Sequence, residues 1–296
     1  MPFLTRESDM NEEKEVKVNQ LSELWRRLKR NRAAIVGGII VLLFVVIALL
    51  APLIAPYAPN EGDLTKRLKP PSGEHLLGTD PLGRDLLSRV IYGARISLQI
   101  QIVSVSIALV MGTLLGMIGG YYGGRLDHLL MRLMDILLAF PGIFLAISII
   151  AVLGPGLTNL MLAAGIYSIP QFARIVRGSI LSLKEKEFIE AARAVGENDL
   201  NILFRYLLPN SMAPIIIQTT LRMATVLLTA SGLSFLGLWV QPPTAELGAM
   251  LSNARAYLIT APHVAMVPGL AIMLVVMGFN LFGDGLRDSL DPRLKD

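Results

Sequence analysis

Arg222 sits inside a long apolar stretch, and Gln218, Thr225 and Thr229 share its side of a helix at spacing i, i+4, i+7 and i+11. A guanidinium, an amide and two hydroxyls in a stripe can donate hydrogen bonds and solvate charge. They cannot make or break a covalent bond by themselves. A charged side chain near a bilayer centre costs about 2.5–3.5 kcal/mol on insertion scales, so Arg222 must face protein or a water-filled cavity. Two placements meet that demand: the wall of a solvated path, or an ion pair with Asp135 or with a group on another chain.

The residues needed for other chemistry are missing from the pattern. There is no cysteine, which removes thiolate metal sites and thiol nucleophiles. His75, His128 and His263 are isolated and form no metal-ligand spacing, and no HExxH, GxSxG or GxxxxGK[ST] occurs. Catalytic, cofactor-binding and metal-ligating residues are therefore expected to be none. A membrane-embedded enzyme and a self-sufficient channel or receptor are the competing classes, and the first lacks a nucleophile with its base.

The elements that must position the stripe are membrane helices. With 53% hydrophobic residues, 17% charged and a mean hydropathy of +0.57, the 296-residue chain is too apolar for an ordinary soluble domain. Its apolar residues gather into six runs near the length that crosses a bilayer: 33–56, 98–120, 132–153, 157–173, 213–237 and 264–283. The predicted class is all-α and polytopic. Some thirty mostly polar residues precede the first run, so it reads as a retained span rather than a signal peptide. The net charge of +4 calls for no nucleic acid. Lys and Arg cluster at 26–32, near Arg125 and Arg132, through 174–211 and after 283, where they mark the cytoplasmic side and touch anionic lipid. Both termini are then expected in the cytoplasm.

Between the first two runs, the Pro-rich 52–71 stretch leads to Gly78-Thr79-Asp80-Pro81-Leu82-Gly83-Arg84-Asp85. This predicts a turn, a capping aspartate and a short amphipathic helix at the membrane surface. Gly112, Gly116 and Gly120 form two overlapping GxxxG steps, which predict close packing against a neighbouring helix. Ala139-Phe140-Pro141-Gly142 predicts a kink, since proline removes a backbone hydrogen bond.

The segment 184–209 is richer than a linker. Phe188, Ala191, Ala192 and Val195 recur at helical spacing, with Glu190 and Arg193 around them, and Gly196 is placed for a left-handed cap. Asn198 or Asp199 can cap a second helix with Leu200, Leu203, Phe204 and Leu207 on one face, ending before Pro209. Two short amphipathic helices meeting at a bend suit either another protein's groove or the chain's own bundle.

Glu190-Ala191-Ala192, Gly196 and Leu207-Leu208-Pro209 resemble the EAA loop of binding-protein-dependent ABC importer permeases. Gly78-Thr79-Asp80 with Gly83-Arg84-Asp85, Tyr92-Gly93-Ala94-Arg95, Gly232 through Gly237, Gln241-Pro242-Pro243-Thr244 and the Gly283–Pro292 tail are similar to the dipeptide, oligopeptide and nickel permeases, C-type subunit. Ala245-Glu246-Leu247-Gly248 departs from the Pro-Glu-Trp-Gly expected there. The resemblance implies an ABC type I importer permease that forms half of a pore for dipeptides or oligopeptides, with nickel or another small solute as the alternative cargo. It implies a second homologous permease, two ATPase subunits holding ATP and Mg, and an extracytoplasmic solute-binding protein. Phe188, Glu190, Ala191, Ala192, Gly196, Leu208 and Pro209 would couple to the ATPases, and Gln218, Arg222, Thr225 and Thr229 would line the path. The implied division is a tail (1–32), a first span (33–56), an external loop with an interfacial helix (57–97), a core (98–283) holding the coupling segment, and a cytoplasmic tail (284–296), in a bacterial or archaeal inner membrane.

Overall fold

The computed structural model describes residues 31–236 and 243–290, with Arg26, Leu28 and Lys29 ahead of them. Of the expected tails 1–32 and 284–296, residues 1–25, Arg27, Arg30 and 291–296 lie outside the described residues, as does the sequence Gly237 through Pro242. Helix α1 (Arg32–Ile54) begins at Asn31, whose side chain accepts from the Ala34 amide, and ends just past Pro52. Helix α2 (Leu86–Tyr122) is followed by α3 (Gly124–Ala139), α4 (Gly142–Leu153) and α5 (Leu157–Leu183). A short α6 (Glu187–Ala194) and an irregular helical run lead to α7 (Met212–Phe235). The chain closes with α8 (Leu247–Asn253) and α9 (His263–Leu290).

Helices α1, α2, α7 and α9 are long and apolar enough to cross a membrane, and α3 with α4 makes a fifth span if the bent pair counts as one. The expected 157–173 span is part of α5. Its 27 residues reach about 40 Å, and two of its polar side chains are absorbed by backbone: Ser168 bonds the Ala164 carbonyl and Asn159 the Leu153 carbonyl. Its apolar residues Leu160, Ala164, Phe172, Ala173 and Val176 are buried on one face. That face meets α2 in the most extensive helix contact of the fold.

The glycine steps of α2 make this contact. A Cβ on Gly116 would lie 2.5 Å from the Ala173 carbonyl oxygen, and Phe172 and Ile180 are fully buried beside Gly112 and Gly120. Helix α1 closes on α9 similarly, with Gly285 against Ala34 and an edge-to-face Phe44–Phe279 pair at 6.3 Å. Asn31 also donates to Asp288 at 3.2 Å. Residues 284–290 therefore continue α9 and pack on α1, rather than starting a separate tail.

Two expectations are corrected. The interfacial helix is not separate: from Leu86 the chain runs as one helix to Tyr122. No proline interrupts it, and its first turns are covered by the 57–85 loop, α8 and the start of α9, with Leu86 and Ile91 buried. The kink at Phe140-Pro141 is a full break, α3 and α4 meeting at 94°. Phe140 is extended, as the residue before proline prefers, and the Tyr167 ring fills the space where a Cβ on Gly142 would stand.

Candidate functional site

Helix α6 ends in two backbone bonds that close a Schellman motif. The Gly196 amide donates to the Arg193 carbonyl at 3.0 Å and the Glu197 amide to the Ala192 carbonyl at 3.1 Å, with Gly196 at φ +85°. Asn198 then caps the next run by accepting from the Asn201 amide at 2.8 Å. That run, Asp199–Asn201, widens into a π-helical stretch, Ile202–Leu207, and ends in Leu208–Asn210. The helical path thus passes through Pro209 instead of stopping before it. An i→i+5 turn lets a proline enter that an α-helical turn would reject, because the ring would strike the carbonyl four residues back.

The pair divides its apolar residues between two surfaces. Ile189, Ala192, Ile202, Leu203 and Leu207 are buried with Met117, Tyr121, Val176, Ile180 and Ile215. Phe188, Ala191, Val195, Leu200 and Phe204 stay exposed, Val195 at 84%. The expected contact residues therefore separate. Phe188, Glu190, Ala191, Gly196 and Pro209 face outward, Ala192 is buried in the body, and Leu208 is half-buried against the same cluster. The sequence pattern puts Ala191 and Ala192 on one face; the structure divides them because adjacent helical residues point about 100° apart.

The seat of the pair is polar as well as apolar. Tyr121, near the end of α2, donates its hydroxyl to Asp199 at 2.7 Å, and the Arg193 guanidinium lies 5.4 Å from the centre of the Tyr121 ring. Lys184 reaches the Gly120 carbonyl at 3.2 Å. One turn away, Arg177 of α5 grips Asp127 of α3 with two bonds of 2.6 Å. Sequence spacing gave no sign of these partners, which lie 50 to 78 positions apart.

On α7, Gln218, Arg222 and Thr225 are half-buried and Thr229 is buried at 8% exposure. The two threonine hydroxyls bond backbone one turn back, Thr225 to the Leu221 carbonyl and Thr229 to the Thr225 carbonyl. Their donors are spent inside the helix, leaving lone pairs to the stripe. Asp135 is held by Arg174 at 2.6 Å, which removes it as the partner of Arg222. Among the described residues neither Arg222 nor Gln218 has a hydrogen bond, so the stripe's strongest donors remain available. No group of three or more His, Cys, Asp or Glu suited to a metal occurs among the described residues.

At the opposite end, Asp85 caps α2 by accepting from the Ser88 amide, and Glu246 caps α8 by accepting from Gly248 and Ala249 at 2.9 and 2.7 Å. Burial pushes the Glu246 carboxyl above its ordinary value, and the two amide bonds offset part of that rise.

The described residues form a body of membrane-length helices with a bent, apolar-tipped helix pair on one end. Residues 112–296 match the family of binding-protein-dependent transport system inner membrane components, and residues 19–71 match the N-terminal membrane domain of oligopeptide transport permease C. The chain belongs to this family. It is 48% identical over 99% of its length, and 97% of the relative's, to the dipeptide transport system permease protein DppC of Alkalihalophilus pseudofirmus. To the glutathione transport system permease protein GsiD of Pectobacterium atrosepticum it is 50% identical, covering 92% of this chain and 91% of that one. In fold it is similar to an inward-facing structure of the MetNI methionine ABC transporter, with TM-score 0.57 and 20% identity, over 69% of this chain and 97% of that one. The protein is an ABC importer permease of the peptide type.

Proposed function

We propose that this chain forms half of the pore of an ATP-driven importer for dipeptides or short oligopeptides, paired with a second, homologous permease. The outward apolar tip, Phe188, Val195, Leu200 and Phe204, seats in a groove of an ATPase subunit. ATP and Mg are held by two such subunits, and a solute-binding protein delivers cargo to the opposite face. The chain itself is non-catalytic. The observation that carries this reading is the division of the 187–210 helices into a buried seat and an exposed apolar tip, which costs solubility unless a partner covers it. The names of the 48–50% identical relatives support a peptide cargo.

The basic residues at 26–32 and through 174–205 support a cytoplasmic placement of the coupling segment and of both termini. Gln218 and Arg222, with donors unused, line the path together with Thr225 and Thr229, where a guanidinium can solvate a peptide carboxylate in passing. Co-purification from the native membrane tests the reading. The intact chain should bring down two ATPases and a second permease, and a Val195→Asp, Phe204→Asp variant should lose the ATPases while keeping the permease. Retention of the ATPases by that variant would remove the tip from the account.

A further inference from the structure

The loop before α2 encloses a cavity of about 230 Å³ lined by Asp80, Arg84, Arg89, Asn253 and Tyr257, among apolar neighbours. Its charges do not balance. The Arg84 and Arg89 side chains are 8% and 3% exposed, and among the described residues the carboxylate that pairs with them is Asp80. Asp80 is already saturated: Oδ1 accepts from the Leu82 and Arg84 amides at 2.8 and 3.0 Å, and Oδ2 accepts from Arg84 Nε at 2.6 Å, with Arg89 Nε 3.5 Å away. The other nearby carboxylate, Asp85, is committed to His75 at 3.0 Å and to the amide and hydroxyl of Ser88, both at 2.8 Å.

Arg89 gives Nη1 to the Pro59 and Pro243 carbonyls at 2.7 and 3.3 Å. Both terminal nitrogens of Arg84 lack a hydrogen bond among the described residues, as do the Asn253 amide and the Tyr257 phenol. Two guanidiniums thus share one carboxylate, and the terminal nitrogens of Arg84 are open to the cavity, where an incoming anion would offset the excess positive charge. Planar guanidinium donors match a carboxylate in two-point geometry. At about 30 Å³ per water, the cavity has room for a carboxylate and the carbon or two behind it.

We propose that this cavity is a carboxylate-binding site, with Arg84 as the charged ligand, Arg89 as its support and Asn253 and Tyr257 completing the donor set. The cargo's terminal carboxylate and an acidic side chain of the docked solute-binding protein share this chemistry. Which of them enters rests on the importer reading; the existence of the site does not.

The test is a titration of the purified full chain in lipid nanodiscs with ¹³C-acetate, read by saturation-transfer NMR. Acetate should saturate in the millimolar range, and Asn253→Asp, which sets a negative charge at the rim without touching the buried ions, should weaken it at least tenfold. Arg84→Gln should abolish it; should that variant fail to fold, Asn253→Asp alone decides. Displacement of acetate by a dipeptide but not by its C-terminal amide assigns the site to cargo. Displacement by the solute-binding protein, with no effect of the dipeptide, assigns it to docking. Absence of saturable acetate in the wild type, or equal binding by Asn253→Asp, would overturn the proposal whether or not ATPases join the complex.

Discussion

The Tyr121 hydroxyl bonds the Asp199 carboxylate at 2.7 Å across 78 positions of sequence, tying the end of α2 to the start of the second short helix. Helix α2 is also locked to α5 along its glycine seam, so on the proposed coupling role a push on the exposed tip would pass into two long helices together. Removing only the hydroxyl, by Tyr121→Phe, keeps the ring under Arg193 and should leave assembly intact. A hydrogen bond to a charged group contributes about 1.5–3 kcal/mol, enough to loosen the seat. In proteoliposomes holding the whole transporter, ATP consumed per peptide imported should rise severalfold. An unchanged ratio would mean that the bond transmits nothing.

Gly196 holds φ +85°, a conformation that costs other L-residues about 1–2 kcal/mol. Gly196→Ala should fray the Schellman cap, weaken co-purification of the ATPases and leave the membrane helices in place. Amide exchange at Gly196 and Glu197 checks this directly; protection equal to the wild type would show that the cap does not hold the bend.

Arg177 and Asp127 join α5 to α3 by two bonds of 2.6 Å, with Asp127 7% exposed. Arg177→Met strands a buried carboxylate and should lower thermal stability in detergent by about 2 kcal/mol, whereas adding Asp127→Asn should restore most of the loss. Strictly additive losses in the double variant would show that the pair does not act as a unit.

Glu246 titrates above its ordinary value of 4.5 because it is buried. The folded chain then holds its proton more tightly than the unfolded chain. The stability it contributes is complete below about pH 4.5 and is lost as pH rises through the folded value. Hydrogen exchange at Gly248 and Ala249, corrected for intrinsic rates, should show protection falling with pH above 4.5 in the wild type. Glu246→Gln should flatten that slope, and an equal slope in both proteins would assign it to another group.

The bend and the left-handed cap are legible because each depends on a few adjacent residues: Gly196 after one helix, Asn198 before the next. The outward tip is not, since local spacing puts Leu200, Leu203, Phe204 and Leu207 on one face, whereas packing buries Leu203 and Leu207 and leaves Leu200 and Phe204 exposed. The 94° break between α3 and α4 was legible only as a kink, since its angle depends on Tyr167 resting over Gly142 from another helix. The length of α2 was missed for the opposite reason. The Leu86–Ile91 pattern is amphipathic because the external loop and α8 cover it, which local periodicity cannot distinguish from a membrane surface. The sequence allows Asp135 as a partner for Arg222, but Arg174 takes it, a choice set by the packing of α5 on α3.

A photo-crosslinking amino acid at Phe204, in the native membrane, tests the central claim most directly. Val152, 86% exposed at the end of α4, serves as the control position. The account predicts an ATPase adduct from Phe204, with a yield that changes on adding ATP, and none from Val152. Peptide import by a Phe204-labelled chain that gives no ATPase adduct would contradict it.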